Sequence, residues 1–77
     1  MKMFMDIKEA HRFMFGKIPC VMVTADVSTD LGENEKDFEI HFEVPEFLEL
    51  ITTGKFYYAS QDCMFILNKL NTKNIKL

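Results

Sequence analysis

Seven consecutive residues, Phe38-Glu39-Ile40-His41-Phe42-Glu43-Val44, alternate strictly between apolar and polar. Successive side chains of a β-strand leave on opposite sides, so an extended strand gathers Phe38, Ile40, Phe42 and Val44 on one face. Glu39, His41 and Glu43 then occupy the other. A strand so divided is half-buried: its apolar row needs a covering layer, and its polar row meets water. That is the signature of an antiparallel sheet with one solvated face.

The neighbouring segments supply the rest of such a sheet. Ile18 to Val27 reads Ile-Pro-Cys-Val-Met-Val-Thr-Ala-Asp-Val, nearly continuous apolar and rich in β-branched residues. It is expected as a strand buried on both faces near its middle, with Pro19 at its start. Ser28 to Lys36 is a polar loop, which makes the alternating segment the return arm of a hairpin. Pro45 opens a helix with Glu46 and Glu49 near its N-terminus, Phe47, Leu48, Leu50 and Ile51 on its apolar side, and Gly54 as its stop. Lys55–Ser60 and Cys63–Leu67 are strand-like; a hairpin turn at Ser60–Cys63 and a single kinked strand both fit. Near the N-terminus, Asp6 and Glu9 have capping-box spacing, and Ile7, Ala10 and Met14 form a helical stripe closed by Gly16. These signals predict a helix from about Ile7 to Phe15, after a short strand or frayed arm at Met1–Met5. The fold class expected is α+β: a two-layer sandwich with a mostly antiparallel sheet of three to five strands and two short helices. Its order is α-β-β-α-β-β, with room for an extra N-terminal strand.

One domain accounts for residues 1–77, with residues 71–77 a partly ordered basic tail carrying Lys73 and Lys76. A chain of 77 residues with 48% hydrophobic content and eight Phe builds a packed core of modest stability. No apolar run approaches the roughly 18–20 residues of a membrane span, and the N-terminal segment lacks a signal-peptide pattern. Cys20 and Cys63 lie in apolar segments and read as reduced, buried thiols of a cytoplasmic protein.

Charge is distributed unevenly. From Asp26 to Glu49, nine carboxylates face Lys36 alone, a net of −8, while the other 53 residues carry +5. The nine are Asp26, Asp30, Glu33, Glu35, Asp37, Glu39, Glu43, Glu46 and Glu49. Such a segment repels phosphates, which excludes nucleic-acid binding on that side, and attracts a basic protein surface. Mimicry of a nucleic-acid backbone is a narrower version of the same idea.

Other chemistries are weakly signalled. Asp26, Ser28, Asp30, Asn34 and Asp37 fall in the register of an EF-hand loop, but Leu31 stands where the turn demands Gly and the flanks read as strands. His11, Cys20, His41 and Cys63 lack the short spacings of zinc ligands. No Gly-rich phosphate loop exists, and no cofactor is implied. Tyr57 and Tyr58 are adjacent, so in a strand one enters the core and the other is free to anchor a partner.

The function expected is a non-enzymatic protein-binding module that inhibits or modulates a larger basic partner, itself a candidate nucleic-acid-binding protein. Its partner-binding residues are Glu33, Glu35, Asp37, Glu39, His41, Glu43, Tyr57 and Tyr58. By analogy alone, this suits phage-type host-takeover or anti-defence proteins. Two alternatives stay open: a small enzyme or ligand-binding domain using Cys63 or His41, and a homodimer or other homo-oligomer formed through open sheet edges.

Overall fold

The computed structural model describes every residue from Met1 to Leu77. In chain order the elements are β1 (Lys2–Phe15), β2 (Ile18–Thr29), β3 (Asn34–Glu43), α1 (Val44–Thr53), β4 (Lys55–Tyr58), β5 (Cys63–Leu70) and β6 (Ile75–Lys76). Short 3-10 turns occupy Ala59–Gln61 and Thr72–Asn74. The strands form one mixed sheet of order β3-β2-β1-β5-β4, with β6 also paired to β1. β1 runs antiparallel to β2 and parallel to both β5 and β6.

This architecture corrects the α-β-β-α-β-β sandwich. Strands take up 65% of the chain, and only one α-helix is present. The helix expected over Ile7–Phe15 is instead the second half of the 14-residue strand β1. Its helical signature has a specific cause. Between Ile7 and Glu9 the register with β2 slips, leaving Lys8 as a β-bulge. The bulge returns Ala10 to the face that holds Met5 and Ile7, all three at most 2% exposed. A spacing of three between Ile7 and Ala10 therefore imitates one face of a helix. Asp6, read as a cap, uses its carboxylate to accept the Asn68 side-chain amide at 2.7 Å.

β1 and β2 are joined by Gly16-Lys17, a two-residue loop between the paired Phe15 and Ile18. Gly16 has φ of 61°, which a tight hairpin turn requires at its first central position. The expected loop Ser28–Lys36 contracts to a turn in which the Thr29 hydroxyl accepts the amides of Leu31 and Glu33. β3 follows, antiparallel to β2, so it is an edge strand. The helix after Pro45 forms where the sequence places it. The Glu46 carboxylate accepts the Glu43 amide at 2.8 Å, and Gly54 (φ 84°) donates to the Leu50 carbonyl at 2.9 Å. α1 thus carries the chain from one edge of the sheet to the other and buries Phe47 and Leu50 against its inner face. Each contributes on the order of 1.5–3 kcal/mol of burial.

β4 and β5 form an antiparallel hairpin closed by the Ala59–Gln61 turn, with Asp62 in the left-handed region. In the basic tail, Ile75 and Lys76 pair with Ala10 and His11 of β1. The sheet is strongly curled. Phe42, on the β3 edge, meets Phe65 of β5 edge-to-face at 5.1 Å and Phe56 of β4 at 6.2 Å. Strands at opposite ends of the hydrogen-bonded order therefore face each other across one core, which also takes in Val21, Val23, Ala25, Cys63 and Phe47. No helix is long and apolar enough to cross a membrane.

Candidate functional site

The polar row of β3 lies on the outside of the curl, as its alternation demands. Cross-strand partners share a face, so the register sets the neighbours of each residue. Glu39 stands beside Thr24, His41 beside Met22, and Glu43 beside Cys20; on the next strand these rows continue to Glu9, His11 and Phe13. The β1–β2 hairpin runs on past the end of β3, and its tip displays Met14, Phe15 and Ile18, which are 59%, 61% and 46% exposed. Phe15 stacks on the exposed imidazole of His41, with centroids 5.7 Å apart and planes 17° from parallel. Phe13 meets the same ring edge-on at 5.9 Å. His41 is thus held between two phenylalanines, with a glutamate two residues away on either side.

Tyr58 reaches this region from β4, across the seam where the curled sheet does not close. It shares one groove with Glu39, Ile40, His41, Phe42, Gln61 and Phe65. It shares a second with Phe15, Ile18, Cys20, His41, Glu43 and Glu46. Apolar walls and a carboxylate rim therefore meet along β3. Glu39, Glu43 and Glu46 have no cationic partner within the chain, whose two salt bridges both belong to Lys8.

The other acidic residues are placed differently. Asp37 sits in a second bulge, with φ of 53°, and its amide donates to the Asp26 carboxylate at 3.1 Å. Lys8 bridges the two, 2.7 Å from Asp37 and 3.2 Å from Asp26. The Asp37 backbone N–H and the Lys8 ammonium hold the Asp26 carboxyl below its ordinary value, while hydrogen bonds to Asp37 and Asp26 raise Lys8. Glu33 and Glu35 turn away from Glu39 and Glu43. They line a groove with Met1, Met3 and Val27 at the far end of the strand, Glu35 sharing the face of buried Val27. Tyr57 is 48% exposed on the opposite side of β4 from Tyr58, and its hydroxyl donates to Asp62 at 2.5 Å. That bond, with partial desolvation, pushes the phenol above its usual range.

Of the eight residues singled out from sequence, the fold brings together Glu39, His41, Glu43 and Tyr58. It leaves Asp37 paired to Lys8 and sets Glu33, Glu35 and Tyr57 apart. Sequence reasoning missed Phe13, Phe15, Ile18 and Glu46 as members of the site. A signal existed for the first two: His11, Phe13 and Phe15 alternate with Arg12 and Met14, a period of two hidden by the helix reading of that segment.

The catalytic and metal alternatives find little geometry. Cys63 is 2% exposed in the core, and burial pushes its thiol up; His41 is on the outer face, so the two do not form a nucleophile–base pair. Cys20 and His41 line one groove while Cys63 is in the core, and no group of three His, Cys, Asp or Glu side chains is arranged as metal ligands. The EF-hand register is undone because Asp26 and Asp37 belong to paired strands and are held together by Lys8.

The class of protein these features define is a small curled mixed-sheet domain with an aromatic, acid-rimmed groove along an edge strand. No family model, curated protein or solved structure matches the chain.

Proposed function

We propose that this protein is a non-enzymatic binding module that inhibits or modulates a larger basic partner through the outer side of β3. The observation that carries the reading is the combination around His41. The exposed ring of Phe15 and the half-buried ring of Tyr58 lie among Glu39, Glu43 and Glu46, none of which has a cation of its own. Aromatic anchors supply contact area at low entropic cost, and the carboxylates set the sign of the partner. Mutual repulsion among the carboxylates is relieved when a cationic surface docks. Their field also speeds encounter with such a partner by roughly tenfold or more at low salt. Phosphate backbones are repelled from the same face. Two buried, unbridged cysteines support a reducing, cytoplasmic setting.

The test is affinity capture from extracts of the native host by the wild type and by Glu39→Lys/Glu43→Lys, at low salt and at 0.5 M salt. Both residues are exposed, but Glu43 also caps α1. Circular dichroism must therefore first show that the double variant keeps the fold, and Glu39→Lys alone, which spares the cap, serves as the second variant. The double variant loses a stoichiometric basic partner that the wild type holds, and high salt weakens the wild-type complex. Equal capture by the two proteins rules out this face.

A further inference from the structure

We infer that the unpaired edge of β3 receives its partner as an added β-strand, an extended segment with Lys or Arg at alternate positions; this rests on the binding reading above. β3 is the terminal strand of the sheet, and each of its residues from Phe38 to Glu43 has a ladder partner on one side only. The same edge forms a wall of the groove that holds Ile40, Phe42 and Tyr58. Backbone bonding along an exposed edge gives affinity without sequence preference, while the side chains flanking it choose the sequence. Those side chains are Glu39 and Glu43, on one face and about 13 Å apart at a strand's rise, a spacing matched by residues i and i+4 of an extended ligand. A cation between them would lie against the exposed ring of His41.

Charge complementarity also argues against a second copy as the occupant. Two β3 strands paired antiparallel about a twofold axis at His41 would bring Glu39 of each copy against Glu43 of the other. Like charges facing across a ladder are destabilising, and charged edge strands are a common guard against self-pairing.

The experiment titrates full-length protein with a nine-residue peptide alternating Lys and Val, followed by amide exchange and calorimetry. The controls are the same peptide N-methylated at alternate residues in each of the two registers. The unmodified peptide is expected to bind saturably, to slow exchange of β3 edge amides at least tenfold, and to lose at least tenfold in affinity at 0.5 M salt. N-methylation in one register should abolish binding. Equal binding of all three peptides, lost in Glu39→Lys/Glu43→Lys, overturns strand addition but leaves the acidic face standing. No saturable binding at low salt overturns both, and a wild-type dimer whose formation slows exchange of the same β3 edge amides replaces the basic segment by a second copy.

Discussion

Replacing Phe42 by alanine tests the curl on which the groove depends. The ring is 2% exposed and packs edge-to-face on Phe65 at 5.1 Å and on Phe56 at 6.2 Å. Phe→Ala at a buried site costs about 3–5 kcal/mol, a sum that includes the roughly 0.5–1.5 kcal/mol of each aromatic pair. A domain this size has on the order of 4–12 kcal/mol in total, so Phe42→Ala removes a large share of it. At about 4–8 °C per kcal/mol, the melting temperature should fall by more than about 12 °C. Phe15→Ala is the internal control. Its ring is 61% exposed, and its loss should cost about 0.5 kcal/mol and a few degrees. Urea unfolding followed by circular dichroism gives both numbers, and Phe42→Leu, which keeps most of the volume, stands in if the alanine variant fails to fold. In a flat sheet Phe42 would lie on a distant edge with little to pack against. A loss below about 1 kcal/mol, or equal losses for Phe42→Ala and Phe15→Ala, would falsify the arrangement.

Acid stability and thiol reactivity probe other parts of the structure. Asp26 has its folded pKa below the ordinary 3.8, first because it accepts the Asp37 amide and then because of Lys8. Folding therefore favours its ionised form; the contribution is complete above the ordinary value and lost as pH falls through the depressed one. Asp26→Asn keeps an oxygen for the Asp37 amide but no longer titrates, so its unfolding midpoint should decline less steeply below about pH 5 than that of the wild type. Superimposable acid limbs would refute the assignment. Cys20 and Cys63 are each 2% exposed, and burial holds the Cys63 thiol in its protonated form. Native protein at neutral pH should react with an aromatic disulfide reagent at least roughly 100-fold slower than unfolded protein, because labelling waits on opening of the structure. Prompt native labelling of Cys63 would place it outside the core.

Where a segment's period agreed with its tertiary role, the sequence was readable. β3 alternates because one side meets the core and the other meets water, and α1 begins and ends at Pro45 and Gly54 because those residues suit its termini. β1 was misread because local pattern cannot distinguish a helix stripe from a strand with a bulge. Ile7 and Ala10 share a face in either case, and Asp6 and Glu9 mimic a cap while serving the sheet. The candidate site was half legible for a related reason. Glu39, His41 and Glu43 sit on one strand and declare their common face. Phe15, Tyr58 and Glu46 arrive from three other elements, and only the curl brings them to the same groove. Glu33 and Glu35 were counted with the patch because charge is additive along a sequence. A bulge at Lys36–Asp37 reverses which face the earlier residues present.

The register slips are the link between this sequence and its groove. One extra residue appears in β1 at Lys8, one in β3 near Asp37, and one in β5 at Asn68, so a line of irregularities crosses the sheet. Each is tied down by a side chain: Lys8 and Asp37 meet at Asp26 of the intervening strand, and Asn68 bonds Asp6. The Lys8 pairs are solvent-exposed, so their worth lies less in stability than in fixing which residue is extruded. Bulges increase local twist and bend a strand, and a sheet bent along one line curls about it. The curl carries Phe42 over Phe65, brings Tyr58 to the edge of β3, and leaves a seam where a fully closed barrel would have a ladder. An edge that would otherwise lie open along its length is thereby given apolar walls and a carboxylate rim. The shape of this surface follows from three inserted residues, none of which lines the groove itself.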